Sequence, residues 1–247
     1  MARWLHTALA AVALALSPAR AGAQVLPAPM APAVALPDTT DGEHACDAEA
    51  PVVLRARSAA DAQSACEGLR RAQTFLKAAG LRLPALTRVE VVDRLPPDLD
   101  GQAVGCYLRD SRRILLLSYE AFAAGGQWFR LPVERELYRA AAAHEAAHAM
   151  AAFNAEPRRL PLAAHEYLAY VTMFATLDPA LRTRLLARFP GAGLRGSLQI
   201  NLVVYLTDPL QFAADAWRHH QRQSDPAGWL RDLVAGLVVP EWPDDAP

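Results

Sequence analysis

His144-Glu145-Ala146-Ala147-His148 stands inside an alanine-rich run over residues 137–153, and the reading of this stretch decides the fold. Leu137, Ala141, His144 and His148 fall at i, i+4, i+7 and i+11, so they form one stripe of an α-helix. The histidines continue an apolar, inward-facing row. One turn apart on that row, both imidazoles reach a single ion. The carboxylate beside the first histidine then suits a general base acting on metal-bound water. The spacing predicts a helix that begins near Pro132 or Val133, carries Glu134 and Glu136 at its positive end, and closes at Asn154 after Phe153.

Two histidines alone hold zinc weakly; a catalytic Zn2+ site wants three protein ligands and an open fourth position. The next helical segment, about 161–177, offers Glu166, which interrupts an apolar stripe of Leu162, Ala169, Tyr170, Met173 and Leu177. A lone carboxylate on a buried face is costly unless something cationic meets it, and a metal ion meets it economically. His165 competes for the role, but its face carries Thr172 and Thr176 and reads as wetter. Glu166 is preferred.

Outward from this pair of helices, residues 52–57 read as a strand, followed by a helix capped by Ser58, with Asp61 three residues on, that stops at Gly80. Ala65, Leu69, Ala72, Leu76 and Ala79 give it one packing face. Residues 89–92, 103–108 and 113–118 read as strands, the last two joined in a hairpin at 109–112. Downstream, Asp178-Pro179, Asp208-Pro209 and Asp225-Pro226 repeat one signal, an N-cap followed by proline at the first helical position. Helices are expected at 179–189, 209–223 and 226–237, with a further one near 198–206. The expected class is α+β: a small sheet, the histidine-bearing helix across it, and a mostly helical C-terminal half.

The N-terminus has other signals. Arg3, the apolar run 8–16 and the small residues Ala21-Gly22-Ala23 form a secretory signal peptide over 1–23, with Gln24 the expected mature end. A Pro/Ala-rich linker follows over 24–45, then a single domain over 46–240. The expected location is periplasmic or secreted. No cysteine follows the cleavage site to take a lipid, and no later segment reaches roughly 18 uninterrupted apolar residues, so no stable membrane anchor is expected. A net charge of −1 with scattered arginines argues against nucleic acid as a partner. In an oxidising compartment two of Cys46, Cys66 and Cys106 are expected to pair, the sequence not fixing which.

H-E-A-A-H on one helix, with a glutamate on the following helix 18 positions after His148, resembles the gluzincin clan of zinc metallopeptidases. Ala164-His165-Glu166-Tyr167-Leu168-Ala169-Tyr170 looks like a motif that accompanies A-H-E-x-A-H in an uncharacterised family of secreted bacterial proteins. The resemblance spans about residues 58–178. It implies a zincin-like fold, His144, His148 and Glu166 as zinc ligands, Glu145 as base and proton shuttle, and a peptide or protein as substrate. In zincins a sheet-edge strand holds the substrate backbone, and residues 113–118 are the candidate. Tyr119, Tyr167, Tyr170, His219 and His220 are candidate donors to the oxyanion. One departure is Tyr170, where many gluzincins carry an aspartate that orients the first histidine.

Three other readings compete. The central helix is then a core helix with incidental histidines, or the zinc site is structural in a non-catalytic domain, or the chain is an envelope scaffold that uses Trp128, Phe129, Trp217, Trp229 and Trp242 as a contact surface. Glu145 argues against a purely structural site, which needs no base. His219 and His220 otherwise read as polar residues on the outer part of the 209–223 helix, with Asp215 beside His219. No feature of the sequence marks an oligomer interface.

Overall fold

A five-stranded mixed sheet carries the first half of the chain. The computed structural model describes residues 42–97, 103–155 and 160–238, and the expected signal peptide lies outside them. The strands are β1 (Gly42–His44), β2 (Val52–Ala56), β3 (Thr87–Val92), β4 (Gly105–Leu108) and β5 (Arg113–Leu117). They stand in the order β1-β2-β3-β5-β4. β2, β3 and β5 are parallel, whereas β1 and β4 run antiparallel at the two edges. The fold is α+β.

Two expectations about this sheet need correction. The chain read as a linker up to residue 45 already pairs with β2 at Gly42–His44. Residues 113–118, taken as the sheet edge, form an interior strand between β3 and β4. The edge strand is β4, because the hairpin folds outward from a β5 that lies parallel on β3. Cys46 and Cys66 form the disulfide, which ties the β1–β2 connection to the helix after β2.

That helix, α1 (Ala59–Ala78), starts where Ser58 Oγ accepts the Asp61 N–H at 3.3 Å and ends two residues before Gly80. It buries Ala62, Ala65, Leu69, Ala72 and Leu76. It packs against α3 (Arg135–Ala155), the histidine-bearing helix. Contact is close at Gly68, where an added Cβ would lie 2.2 Å from the Arg139 carbonyl oxygen. The alanines of α3 serve the same end: Ala140 to Ala143, Ala146 and Ala147 are buried, and small side chains let neighbouring backbones approach. α4 (Leu162–Thr176) packs on α3 and also touches α1.

α3 begins at Arg135, not at Pro132, because the preceding residues do something else. Short α2 (Tyr119–Ala124) leads into a hairpin of β6 (Gln127–Trp128) and β7 (Leu131–Pro132). Its two turn residues, Phe129 and Arg130, both take left-handed backbone, φ 51° and 57°. That is a two-residue hairpin turn of the primed kind without the usual Asn or Gly. Phe129 drives it: the ring is buried against Trp128, Tyr170, Phe174 and Phe189.

The helical half follows the Asp-Pro signals. Asp178, Asp208 and Asp225 cap α5 (Pro179–Leu186), α7 (Pro209–Gln221) and α8 (Pro226–Val234) through their carboxylates. The helix expected near 198–206 is split into a 3₁₀ turn at Ser197–Gln199 and α6 (Leu202–Thr207), recapped by Asn201. Among the described residues the aromatic side chains form no exposed contact surface. Phe129 and Trp217 are buried, Trp128 and Trp229 are part-buried against the core, and Trp242 lies outside the described residues.

Candidate metal centre

The i, i+4 spacing on α3 turns His144 and His148 toward α4, and α4 presents Glu166 to both. His144 Nε2 and His148 Nε2 stand 3.0 Å apart. The Glu166 carboxylate reaches each of them at 3.6 Å, one oxygen per ring. Ligand atoms held about 2.0–2.2 Å from one tetrahedral ion lie roughly 3.3–3.6 Å from each other. The two His–Glu166 separations fall in that range and the His144–His148 one is shorter, so a small movement of the rings lets this cluster hold a metal ion. His165 does not join it: its ring packs 5.8 Å from that of His148.

Burial sets the charge of every member. His144 and Glu166 are each 8 % exposed. Burial pushes His144 down to about 3. His148 falls well below its usual range through burial, helped by His144 and His165. Both rings are thus neutral with lone pairs to offer, the form a metal takes. Burial raises Glu166 to about 7, partly offset by a hydrogen bond from Tyr205. A divalent cation between these groups would favour the ionised carboxylate again.

Glu145 is 4 % exposed, and burial together with the Glu166 charge holds its carboxyl well above the usual range. Its Oε2 is buried without a hydrogen-bond partner among the described residues. The side chain runs against Gly105 of β4, where an added Cβ would sit 2.7 Å from Glu145 Cγ and 2.9 Å from the Leu115 carbonyl. A β-carbon would fill the space the carboxylate occupies. An isolated glycine at the head of a strand is the sequence signal of such a close approach.

These groups line a cleft of about 690 Å³. β4 forms one wall, with Val104, Gly105 and Tyr107; Trp128, Phe129 and Arg130 of the β6–β7 hairpin form another. Tyr205 and Leu210 close it from the helical half. Just before β4 the Val104 carbonyl accepts from Leu117 N–H at 3.0 Å, so alternation along the strand turns the backbone groups of Gly105 away from β5.

Of the candidate oxyanion donors, only Tyr170 is at the cleft. Its ring lies 4.6 Å from that of His144. It positions that imidazole by packing, since His144 Nδ1 is buried with no hydrogen-bond partner among the described residues. Tyr119 lines a separate cavity with Asp61 and Arg135. The hydroxyl of Tyr167 meets His219 Nδ1 at 2.8 Å inside the core. His220 packs its ring near those of Phe75 and Trp217. His219 and His220 are therefore buried, 4 % and 3 % exposed, and not on an outer face; Asp215 pairs instead with Arg218 at 3.2 Å. Tyr205, which no sequence pattern marked, stands at the cleft wall and hydrogen-bonds Glu166.

Neither the curated proteins nor the solved structures hold a match to this chain. Residues 52–243 match the model of a family of unknown function, DUF6639, and the chain belongs to that family.

Proposed function

We propose that this protein is a zinc-dependent metallopeptidase of gluzincin type, working in the periplasm or outside the cell on peptide or protein substrates. The observation that carries the reading is a Glu145 carboxylate oxygen without a hydrogen-bond partner among the described residues, beside three converging ligand side chains in a cleft walled by a sheet edge. A structural metal site needs no buried base, and burying one without a partner is costly. The Cys46–Cys66 disulfide fits an oxidising compartment.

His144, His148 and Glu166 would hold the ion. When bound, zinc polarises a carbonyl and acidifies water. Glu145 takes the proton from the attacking water and delivers it to the leaving amine, its carboxylate standing next to the ligand His144 on the same helix. The outward backbone of Gly105 accepts the substrate chain as an added strand. Tyr205, at the cleft wall, donates to the Glu166 carboxylate and so steadies that ligand.

The test is metal content and peptide hydrolysis of the purified protein with Glu145→Gln, His148→Ala and Glu166→Ala. The reading expects a single zinc ion per chain, lost or sharply weakened in the two ligand variants. It expects zinc retained but hydrolysis abolished in Glu145→Gln. Zinc-loaded wild type that cleaves nothing in a broad peptide library would leave a non-catalytic metal module; no metal after zinc reconstitution would remove the enzyme reading.

A further inference from the structure

One charged side chain in the cleft has no part in the metal centre. Arg109 follows directly on β4, is half-buried and lines the cleft. Gly105, Tyr107 and Arg109 share the two-residue period of a strand, so they belong to the face on which Gly105 meets Glu145. The arginines nearby are engaged. Arg113 holds Glu90 at 2.9 Å, and Arg130 donates to the Arg188 carbonyl at 3.0 Å while lying over the Phe189 ring. Among the described residues the Arg109 guanidinium has no ion pair and no hydrogen bond. The carboxylates that line the cleft are Glu145 and Glu166, both at the metal centre. Among the described residues, the far end of β4 therefore presents to the cleft a cation without a counter-charge.

We propose that Arg109 receives an acidic side chain of the bound peptide and makes the cleft selective for acidic substrates. The inference rests on the metallopeptidase reading above. A peptide laid along β4 advances about 3.3 Å per residue, so Arg109 meets a side chain about four residues, roughly 13 Å, from the residue opposite Gly105. A guanidinium recognises a carboxylate through paired N–H donors, which the amide of Gln or Asn cannot match in charge.

The experiment uses the full mature protein carrying Glu145→Gln and loaded with zinc, so binding is read without turnover. The probes are fluorescent peptides, acetylated and amidated at their ends, in which one Glu is moved residue by residue and compared with Gln at the same place. The expected result is about tenfold tighter binding with Glu at a single position, lost in Arg109→Gln and reversed toward Lys peptides in Arg109→Glu. Equal binding of Glu and Gln peptides, or a Glu preference that survives Arg109→Gln, overturns the inference and leaves the peptidase reading standing. A gain seen only with a free C-terminal carboxylate also overturns it, since the terminus and not a side chain is then the ligand. No binding of any peptide to zinc-loaded protein overturns the peptidase reading and this inference together. The wild-type comparison of Glu and Gln peptides decides the matter even if an Arg109 variant fails to fold.

Discussion

Gly105 and Glu145 occupy one space: a β-carbon on the first would stand 2.7 Å from Cγ of the second. The Leu115 backbone carbonyl, at 2.9 Å from the same β-carbon, does not give easily, so the Glu145 side chain must move. Gly105→Ala should therefore displace the Glu145 carboxylate while leaving His144, His148 and Glu166 in place. We expect peptide hydrolysis to fall about a hundredfold with zinc content unchanged. Measuring both on one preparation checks it; parallel loss of zinc would mean the glycine serves the whole helix and not its carboxylate.

Metal uptake should depend on pH through Glu166. The buried carboxyl sits at about 7, whereas His144 sits at about 3 and His148 is also depressed, so protonated Glu166 is the species that must lose a proton to ligate. Apparent affinity should be level above about 7 and fall about tenfold per pH unit below it. Tyr205→Phe removes the hydrogen bond that lowers Glu166 and should move the onset to higher pH. Competition against a metal-binding dye across pH reads both effects. An onset set near the ordinary carboxylate value would contradict the assignment.

Acid should destabilise the protein through its buried histidines, His219 and His220 of the core among them beside those of the cleft. Burial lowers His220 from 6.5 to about 4 and lowers His219 as well, so the unfolded chain binds more protons than the native one between those values. Their contribution is present in full above about 6.5 and is lost as pH falls toward about 4. His220→Phe, which keeps a ring against Phe75 and Trp217, should flatten the acid side of a stability profile taken by urea unfolding at several pH values. An unchanged profile would assign the acid sensitivity to other groups.

The disulfide closes a stretch with a sequence separation of 20 and should contribute about 3 kcal/mol. Cys46→Ser with Cys66→Ser should lower the urea midpoint accordingly. On the proposed reading zinc should still bind, because neither cysteine lines the cleft of His144, His148 and Glu166. Loss of zinc binding under native conditions would show that the N-terminal strand holds α1, and through it α3, in register.

What the sequence made legible was local chemistry. The histidine pair on α3 and the three Asp-Pro caps depend on neighbours a turn away, and each stands where its spacing placed it. Glu166 was legible because it broke an apolar stripe. Strand order was not, since β4 and β5 have similar patterns and only the parallel pairing of β3 with β5 decides which lies outside. The β6–β7 turn gave no signal because Phe129, and no turn-forming residue, takes positive φ there for the sake of its buried ring. His219 and His220 looked exposed beside Arg218, Gln221 and Arg222. Their cover comes from Phe75, Tyr167 and Trp229, on three other helices.

An antiparallel strand at the rim of a sheet is also the place where one protein molecule can stitch itself to another. In this fold that rim and the wall of the cleft are the same strand, β4. Self-association through it would stopper the cleft with the protein's own backbone. Crowding and occupancy then become one question: whatever keeps neighbours off Gly105 also keeps the cleft open.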